Sequence, residues 1–392
     1  MSRIRFLMLA IVTFAVTAQV NGGAYIGSVL YPLTVPGGFT SIVPQATFPG
    51  QMVGYGTSAT IADNTHALLW TAAGAVDLNP TNLNLIGSYA YGSGGDQQVG
   101  YGYNIGGPGY ALLWTGTAVS VVNLDPSNKS ANDYSEAFGT NGTQQVGDAF
   151  NENTEGNYHA ILWTGTAASA VDLNPTDLNG ITSSAAYGTD GVQQVGEGEG
   201  SGTNGFRNAL LWTNTADSAV DLSPTDISGV SETFALGVGG DQQVGIGYEP
   251  GGGPHYALLW TGTADSAVDL NPTNISGVIS SAADATNGTE QVGYGIISPT
   301  KGQIGDTNHA FLWTGSPDSA VDLGTLLPST GAWYYSNALN IDSSGNVYGI
   351  AQGTYDGVEG YFAVEWSPVP EPASGSLLLI AAAGTLLRRR RK

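Results

Sequence analysis

The chain has no cysteine among its 392 residues. That absence excludes disulfides, thiol nucleophiles and cysteine-based metal sites together, so stability has to come from a large apolar core. Cations are almost missing from the interior of the sequence. Between Arg5 and Arg388 only Lys129, Arg207 and Lys301 occur, against all 32 acidic residues. A body this acidic repels phosphate backbones, which argues against nucleic acid as a partner. It attracts cations, or simply stays soluble in salty water. Charge is scarce overall, at 11% against 41% hydrophobic residues, the reverse of a disordered composition. Helical periodicity is missing too: no stretch of the body sustains it over eleven residues. Glycine is abundant instead, with 58 residues, roughly twice the ordinary share. That suits an all-β chain with many tight turns.

The two ends read as addresses. Arg3 and Arg5 precede a short apolar stretch from Phe6 to Val16, and Val16-Thr17-Ala18 supplies small residues for cleavage after Ala18. This is the layout of a secretory signal over residues 1–18. At the other end Pro370, Glu371 and Pro372 precede an apolar stretch from Leu377 to Leu387, then four Arg and a Lys. The stretch is short for a membrane span, which needs about 20 apolar residues. Its basic flank marks the cytoplasmic side. The tail over 369–392 closely resembles the PEP-CTERM sorting signal of Gram-negative-type bacteria. The resemblance implies an exosortase-type processing enzyme as a partner, transient membrane association through a C-terminal helix, and delivery to the cell envelope, outer surface or extracellular matrix. A plain membrane anchor is the alternative.

The body is one motif repeated. Trp70, Trp114, Trp163, Trp212, Trp260, Trp313 and Trp366 recur every 44 to 53 residues, each closing an apolar run such as Ala209-Leu210-Leu211-Trp212. About fifteen residues before each lies a second run, as in Gln97-Gln98-Val99-Gly100-Tyr101-Gly102, with counterparts centred on Val53, Val146, Val195, Val244, Val292 and Val347. A third run follows most of the tryptophans, and a fourth precedes the Gln-Gln-Val-Gly run. Each is four to six residues long and bounded by Gly, Asn, Asp, Thr or Pro, which are strand and turn signals. Four short strands per repeat predict β-propeller blades. The last copy lacks its outer strand, and the segment from Ser28 to Leu33 sits where that strand belongs. The expected fold is therefore all-β: a seven-bladed β-propeller over 25–367, closed by an N-terminal strand, plus short N- and C-terminal targeting helices. Gly100 and Gly102 alternate with Val99 and Tyr101, which predicts room for a large ring from the adjacent blade.

The Trp-bearing runs resemble the HAF repeat of extracellular bacterial proteins, in the letters of His309-Ala310-Phe311. Six copies depart from them, among them His66-Ala67-Leu68 and Tyr110-Ala111-Leu112. The resemblance implies a fold and an extracellular setting, and no ligand.

The chemistry-bearing residues mostly follow the repeat. His66, His159 and His309 share one slot, and His255 lies one residue before it. Such positions are dispersed around a ring and do not converge on one zinc ion. Asp77, Asp172, Asp221, Asp269 and Asp322 recur in the outer strand, where a bond to the following turn is their natural role. Gly200, Gly202 and Gly205 match a dinucleotide fingerprint but lead into a strand rather than a helix. No catalytic residue and no metal site stand out, and an enzyme would break the repeat with one blade of unique groups. The connections between the second strand and the Trp strand vary most. They place Glu152, Glu155, Glu197, Glu199, Glu249 and Asp306 on one acidic face, a candidate binding face. These readings lead to an expectation of no cofactor, with Ca²⁺ the one candidate ligand ion, and envelope polysaccharide the candidate partner. The function expected is a non-enzymatic surface or matrix scaffold. A glycan- or Ca²⁺-dependent binding module and a polysaccharide lyase or glycosidase are the alternatives.

Overall fold

The computed structural model describes residues 18–20, 23–58, 64–83, 85–104, 107, 109–126, 134–150, 156–178, 180–251, 253–298 and 307–369. These residues form five four-stranded antiparallel sheets, spanning 39–77, 87–123, 134–172, 181–221 and 232–269, and one nine-stranded sheet. The larger sheet contains two further four-stranded units. One runs over 278–322. The other joins Ala332–Ile341, Val347–Tyr355 and Val358–Val369 to the N-terminal strand Gly23–Pro32. A single parallel bridge, Asn308 to Tyr335, links the two units. The sheets stand as propeller blades, each with an inner strand, a second strand, a Trp strand and a short outer strand. Among the described residues the only helical elements are 3-10 turns of three residues, such as Ala216–Ser218. The expected targeting helices fall on residues 1–17 and 370–392, outside the described residues. Ala18 lies in the strand Ala18–Val20, paired with Gly23–Tyr25.

Crowding at the axis shapes every blade. Each inner strand carries a β-bulge, for example between Ala90 and Gly92 or between Ala137 and Gly139. The bulge brings an inner-strand carbonyl onto the glycine of the Gln-Val-Gly run. A Cβ on Gly100, Gly147, Gly196 or Gly245 would sit 1.9 Å from the carbonyl oxygen of Tyr89, Glu136, Ala185 or Phe234. No side chain fits there. The expected role of Gly100 is thereby corrected, because a carbonyl of its own blade fills the space and not a ring from a neighbour. In the last unit the register pairs Val347 with Trp366 and Tyr348 with Glu365, whereas Gln98 pairs with Trp114 and Val99 with Leu113. Tyr348, not Val347, is therefore the counterpart of Val99. The bulge residues themselves (Gln45, Tyr91, Phe138, Tyr187, Leu236, Asp284 and Leu339) line a central channel of about 750 Å³.

Between blades, the tryptophans and the glutamines divide the work. All seven repeat tryptophans are at most 1% exposed. Trp212 packs with Val146, Ala160 and Leu162 of the sheet before its own, and Trp260 with Val195, Ala209 and Leu211. Trp70 packs with Ile350 and Ala363, so the first sheet meets the last unit. Along one rim, the second Gln of each pair donates Nε2 to the first Gln of the preceding sheet. Gln98 reaches Gln51 at 2.8 Å, Gln145 reaches Gln97 at 2.7 Å and Gln243 reaches Gln193 at 2.8 Å. Its Oε1 accepts the backbone N–H two residues after the Trp, as from Gly116, Gly165 and Gly262. Glu290 interrupts the series, and there the Tyr25 hydroxyl donates to Glu290 Oε1 at 2.9 Å. The N-terminal strand thus carries its own substitute for the missing amide. It pairs antiparallel with the final strand from Ala24–Val369 to Pro32–Phe362.

Burying a Trp side chain removes about 150–250 Å² from water. Replacing Trp212 by Ala leaves a cavity between two sheets and is expected to cost about 3–5 kcal/mol, read as a lower melting temperature. An unchanged melting curve would contradict this packing.

Candidate functional site

In four blades the repeat slots of His or Asn and Asp pair with each other. His66, His159 and His309 place Nδ1 2.8 Å from Oδ2 of Asp77, Asp172 and Asp322, and Asn208 donates to Asp221 at 2.7 Å. The other oxygen of Asp77, Asp172, Asp221 and Asp269 accepts the backbone N–H two residues on. These groups spend their polar capacity on holding the Trp strand to the outer strand. Gly200 leads into a 3-10 turn at Ser201–Thr203. Among the described residues no three His, Asp or Glu side chains stand close enough to hold a metal.

One slot behaves differently. The residue after Gln-Val-Gly, or its equivalent, is Tyr55, Tyr101, Ile246, Tyr294 or Ile350 in five blades. In the two adjacent sheets 134–172 and 181–221 it is Asp148 and Glu197. Glu136 lies directly across from Asp148 in the register, where other blades place Val43, Tyr89, Ala185, Phe234, Ala282 or Asn337. Asp148, Glu136, Glu197, Glu199 and Arg207 line a pocket of about 330 Å³ between the two sheets, walled by Tyr134, Tyr158 and Tyr187. That volume is in the range of small-ligand sites.

The carboxyls are not equivalent. Asp148 is 9% exposed, and its Oδ1 meets no hydrogen-bond donor. Burial, followed by repulsion from Glu136 and Glu197, pushes it well above the usual carboxylate range. Glu197 is equally buried, but the Tyr187 hydroxyl donates to its Oε1 at 2.8 Å, and its Oε2, without a hydrogen bond, has the Arg207 charge 3.3 Å away. Burial raises it, and those two partners work against the rise. Glu136 is likewise raised by burial, and accepts the Tyr134 hydroxyl. Arg207 also lies 3.5 Å from Glu199 and sits over the Phe234 ring. Both slot carboxyls are therefore raised, Asp148 the more strongly, so that Glu197 is the first of the two to ionise. Such a split marks an acid and a base.

A strip of aromatic rings leads into this pocket from the sheets 39–77 and 87–123. Successive ring centres lie 4.7 Å apart from Tyr55 to Tyr89, 5.0 Å to Tyr101, 6.0 Å to Tyr134 and 6.2 Å to Tyr158. Tyr158 at the end is 42% exposed.

Of the candidate face residues, Glu197 and Glu199 join this pocket. Glu249 stands apart and accepts the Tyr256 hydroxyl. Glu152, Glu155 and Asp306 lie outside the described residues, as do Pro370, Glu371 and Pro372. Glu136, Asp148 and the tyrosines were not singled out from the sequence. The signal that finds them is the comparison of one repeat slot across blades.

No family model matches the chain, and no curated protein matches it. Solved structures do. The chain is similar to the β-propeller domain of the trilobed protease from Pyrococcus furiosus, described with an open velcro topology, at 6% identity and a TM-score of 0.50, covering 84% of this chain and 95% of that one. It also matches an oligogalacturonate lyase in complex with manganese, at 11% identity and a TM-score of 0.43, covering 91% and 96%. Prolyl endopeptidases match at 9% identity and a TM-score of 0.47, covering 88% of this chain and 55% of theirs. The first of these likenesses supports the propeller fold. The expectation of a non-enzymatic scaffold is corrected to this extent: a propeller fold does not speak against an enzyme, since the trilobed protease contains one. The other ground for that expectation, that no blade carries unique groups, fails at Glu136, Asp148, Glu197 and Arg207.

Desolvation gives a stability test with a definite sign. A carboxyl whose folded pKa is raised destabilises the fold once ionised. Its stability is complete below the ordinary carboxylate value and is lost as pH rises through the folded value. Asp148→Asn is therefore expected to melt above the wild-type protein at neutral pH, and to match it below about pH 4. Thermal melts across that range check it. A variant less stable at neutral pH would contradict the buried acid.

Proposed function

We propose that this chain is an exported, envelope-directed protein, a seven-bladed propeller that cleaves glycosidic bonds in a neutral carbohydrate chain at the pocket around Asp148. The single observation behind the reading is the buried Asp148 carboxyl, whose Oδ1 meets no donor, placed one blade away from a Glu197 held by Tyr187 and Arg207. A carboxyl kept neutral can give its proton to a leaving glycosidic oxygen as the bond to the anomeric carbon breaks. The charged partner then serves as nucleophile, or as base toward water. Both carboxyls come from rigid strands, which favours fixed geometry. The tyrosine strip offers ring edges and hydroxyls to successive sugar units. The formal net charge of −22 repels polyanions, which favours a neutral polymer. The signal-like N-terminus, the tail around Pro370, Glu371 and Pro372, and the HAF-like repeats support export to the envelope. A tail-cutting exosortase and envelope polysaccharide are the partners in keeping with that setting.

Incubating the purified chain with a panel of neutral polysaccharides and measuring new reducing ends tests this reading. Release by the wild-type protein and a loss of about 10²-fold or more in Asp148→Asn is expected. No release from any polymer, or equal release by the variant, would refute it.

A further inference from the structure

The second charged departure from the repeat lies elsewhere. Six of the seven bulge positions facing the central channel carry Gln45, Tyr91, Phe138, Tyr187, Leu236 or Leu339, and the remaining one carries Asp284. Asn337, on the neighbouring inner strand Ala332–Ile341, bonds through its side chain to Asp284 and to Tyr335. Its own oxygen is left over. Asn337 is 8% exposed, and Oδ1 is a buried acceptor with no partner. Tyr294 and Tyr335 line the same wall of the channel.

We propose that this wall, formed by Asp284, Asn337, Tyr294 and Tyr335, binds the ammonium group of a slender primary amine inside the channel. The wall offers acceptors and aromatic rings to the channel. A carboxylate and an amide oxygen accept N–H bonds, and tyrosine rings attract a cation through their faces. A hard metal ion asks for six or more oxygen ligands, and one carboxylate with one amide oxygen falls short of that. An ammonium ion needs one counter-charge, a further acceptor and apolar surface for its alkyl stem. Among the described residues Asp284 has no Lys or Arg partner, so a cation entering the channel meets an uncompensated acid. Other channel residues, Leu236 on the adjacent blade and Phe138 further round, suit the stem.

Binding of this kind depends on pH. Burial raises the Asp284 carboxyl to about 7. The groups facing it are Tyr294 on Gln291–Ile297 and Tyr335 and Asn337 on Ala332–Ile341, with Tyr248 beside Tyr294. Burial holds all three phenols above their usual range, and lowers His255, which meets the Tyr294 hydroxyl at 3.4 Å, so Asp284 is the group of this wall that ionises as pH rises through about 7. The acid must lose its proton to pair with the amine, so affinity rises with pH through about 7.

Isothermal titration of the full chain with n-butylammonium chloride tests the proposal. Saturable one-to-one binding is expected at about pH 8, at least tenfold weaker at about pH 5.5 and at least tenfold weaker in Asp284→Asn. Asp148→Asn, in the separate carboxyl pocket, is expected to bind like the wild type whether or not that pocket cleaves sugars. Should Asp284→Asn fail to fold, Tyr294→Leu replaces it, with weakened binding expected. Absence of saturable heat at about pH 8, wild-type affinity in the folded wall variant, or loss in Asp148→Asn instead would overturn the proposal.

Discussion

Crowding near the axis is the constraint on which the rest of this structure depends. Short inner strands must converge on one channel, and each relieves the crowding with a bulge. The bulge drives a carbonyl onto the next strand, and only glycine tolerates it at Gly100, Gly147, Gly196 and their equivalents. The same crowding brings backbones of neighbouring blades together. A Cβ on Gly92, Gly139 or Gly188 would come within 2.3–2.7 Å of a carbonyl oxygen in the next sheet. Once the inner strands are fixed in this way, the sheets fan outward. Their separation at larger radius is filled by an indole reaching into the blade before, as Trp212 and Trp260 do. The glutamine pairs then tie the rim. Closure by Gly23–Pro32 is the last step of the same geometry, and Tyr25 completes the one rim joint where Glu290 replaces an amide acceptor.

A scaffold held by glycines, tryptophans and glutamines leaves other slots free to change. The position after Gln-Val-Gly faces a gap between blades and accepts Tyr, Ile, Asp or Glu without disturbing the repeat. Two neighbouring blades use that freedom at once. Asp148 and Glu197 then share one pocket, and Glu136 across the strand adds a third carboxyl. Like charges in a desolvated gap raise one another, while the Tyr187 hydroxyl and Arg207 hold Glu197 back. The difference between the two carboxyls therefore comes from a tyrosine in the bulge slot and from Arg207. Asp284 uses a different free slot, the bulge residue, and faces the channel instead.

Much of this was legible in the sequence, because the repeat multiplies each weak signal. The four-strand unit, the tryptophan period and the fit of the N-terminal segment against the final Trp strand follow from spacing and from the phase of the two ends. The Asp–turn bonds follow from local chemistry at Asp77 and its counterparts. The Gln–Gln rim was not legible, since amides separated by about fifty residues meet only after the ring forms. Gly100 was misjudged for a related reason: alternating small residues announce a close approach, but not whether a ring or a carbonyl arrives. Asp148 is hard to read from the sequence because its departure from the repeat is one residue wide and lies in a strand rather than in a variable loop. Comparing each slot across blades exposes it, and the pairing with Glu136 and Glu197 then needs the fold.

The chemistry of the carboxyl pocket depends on the protonation of Asp148. Carbon-detected magnetic resonance of the side-chain carboxyl carbons, followed through a pH titration of the folded chain, reads it directly. Asp148, assigned by its absence from the Asp148→Asn spectrum, is expected to remain protonated well above the ordinary aspartate range of about 4. A midpoint for Asp148 near that ordinary value would show a solvated, charged group, and the acid–carboxylate pair would be lost with it.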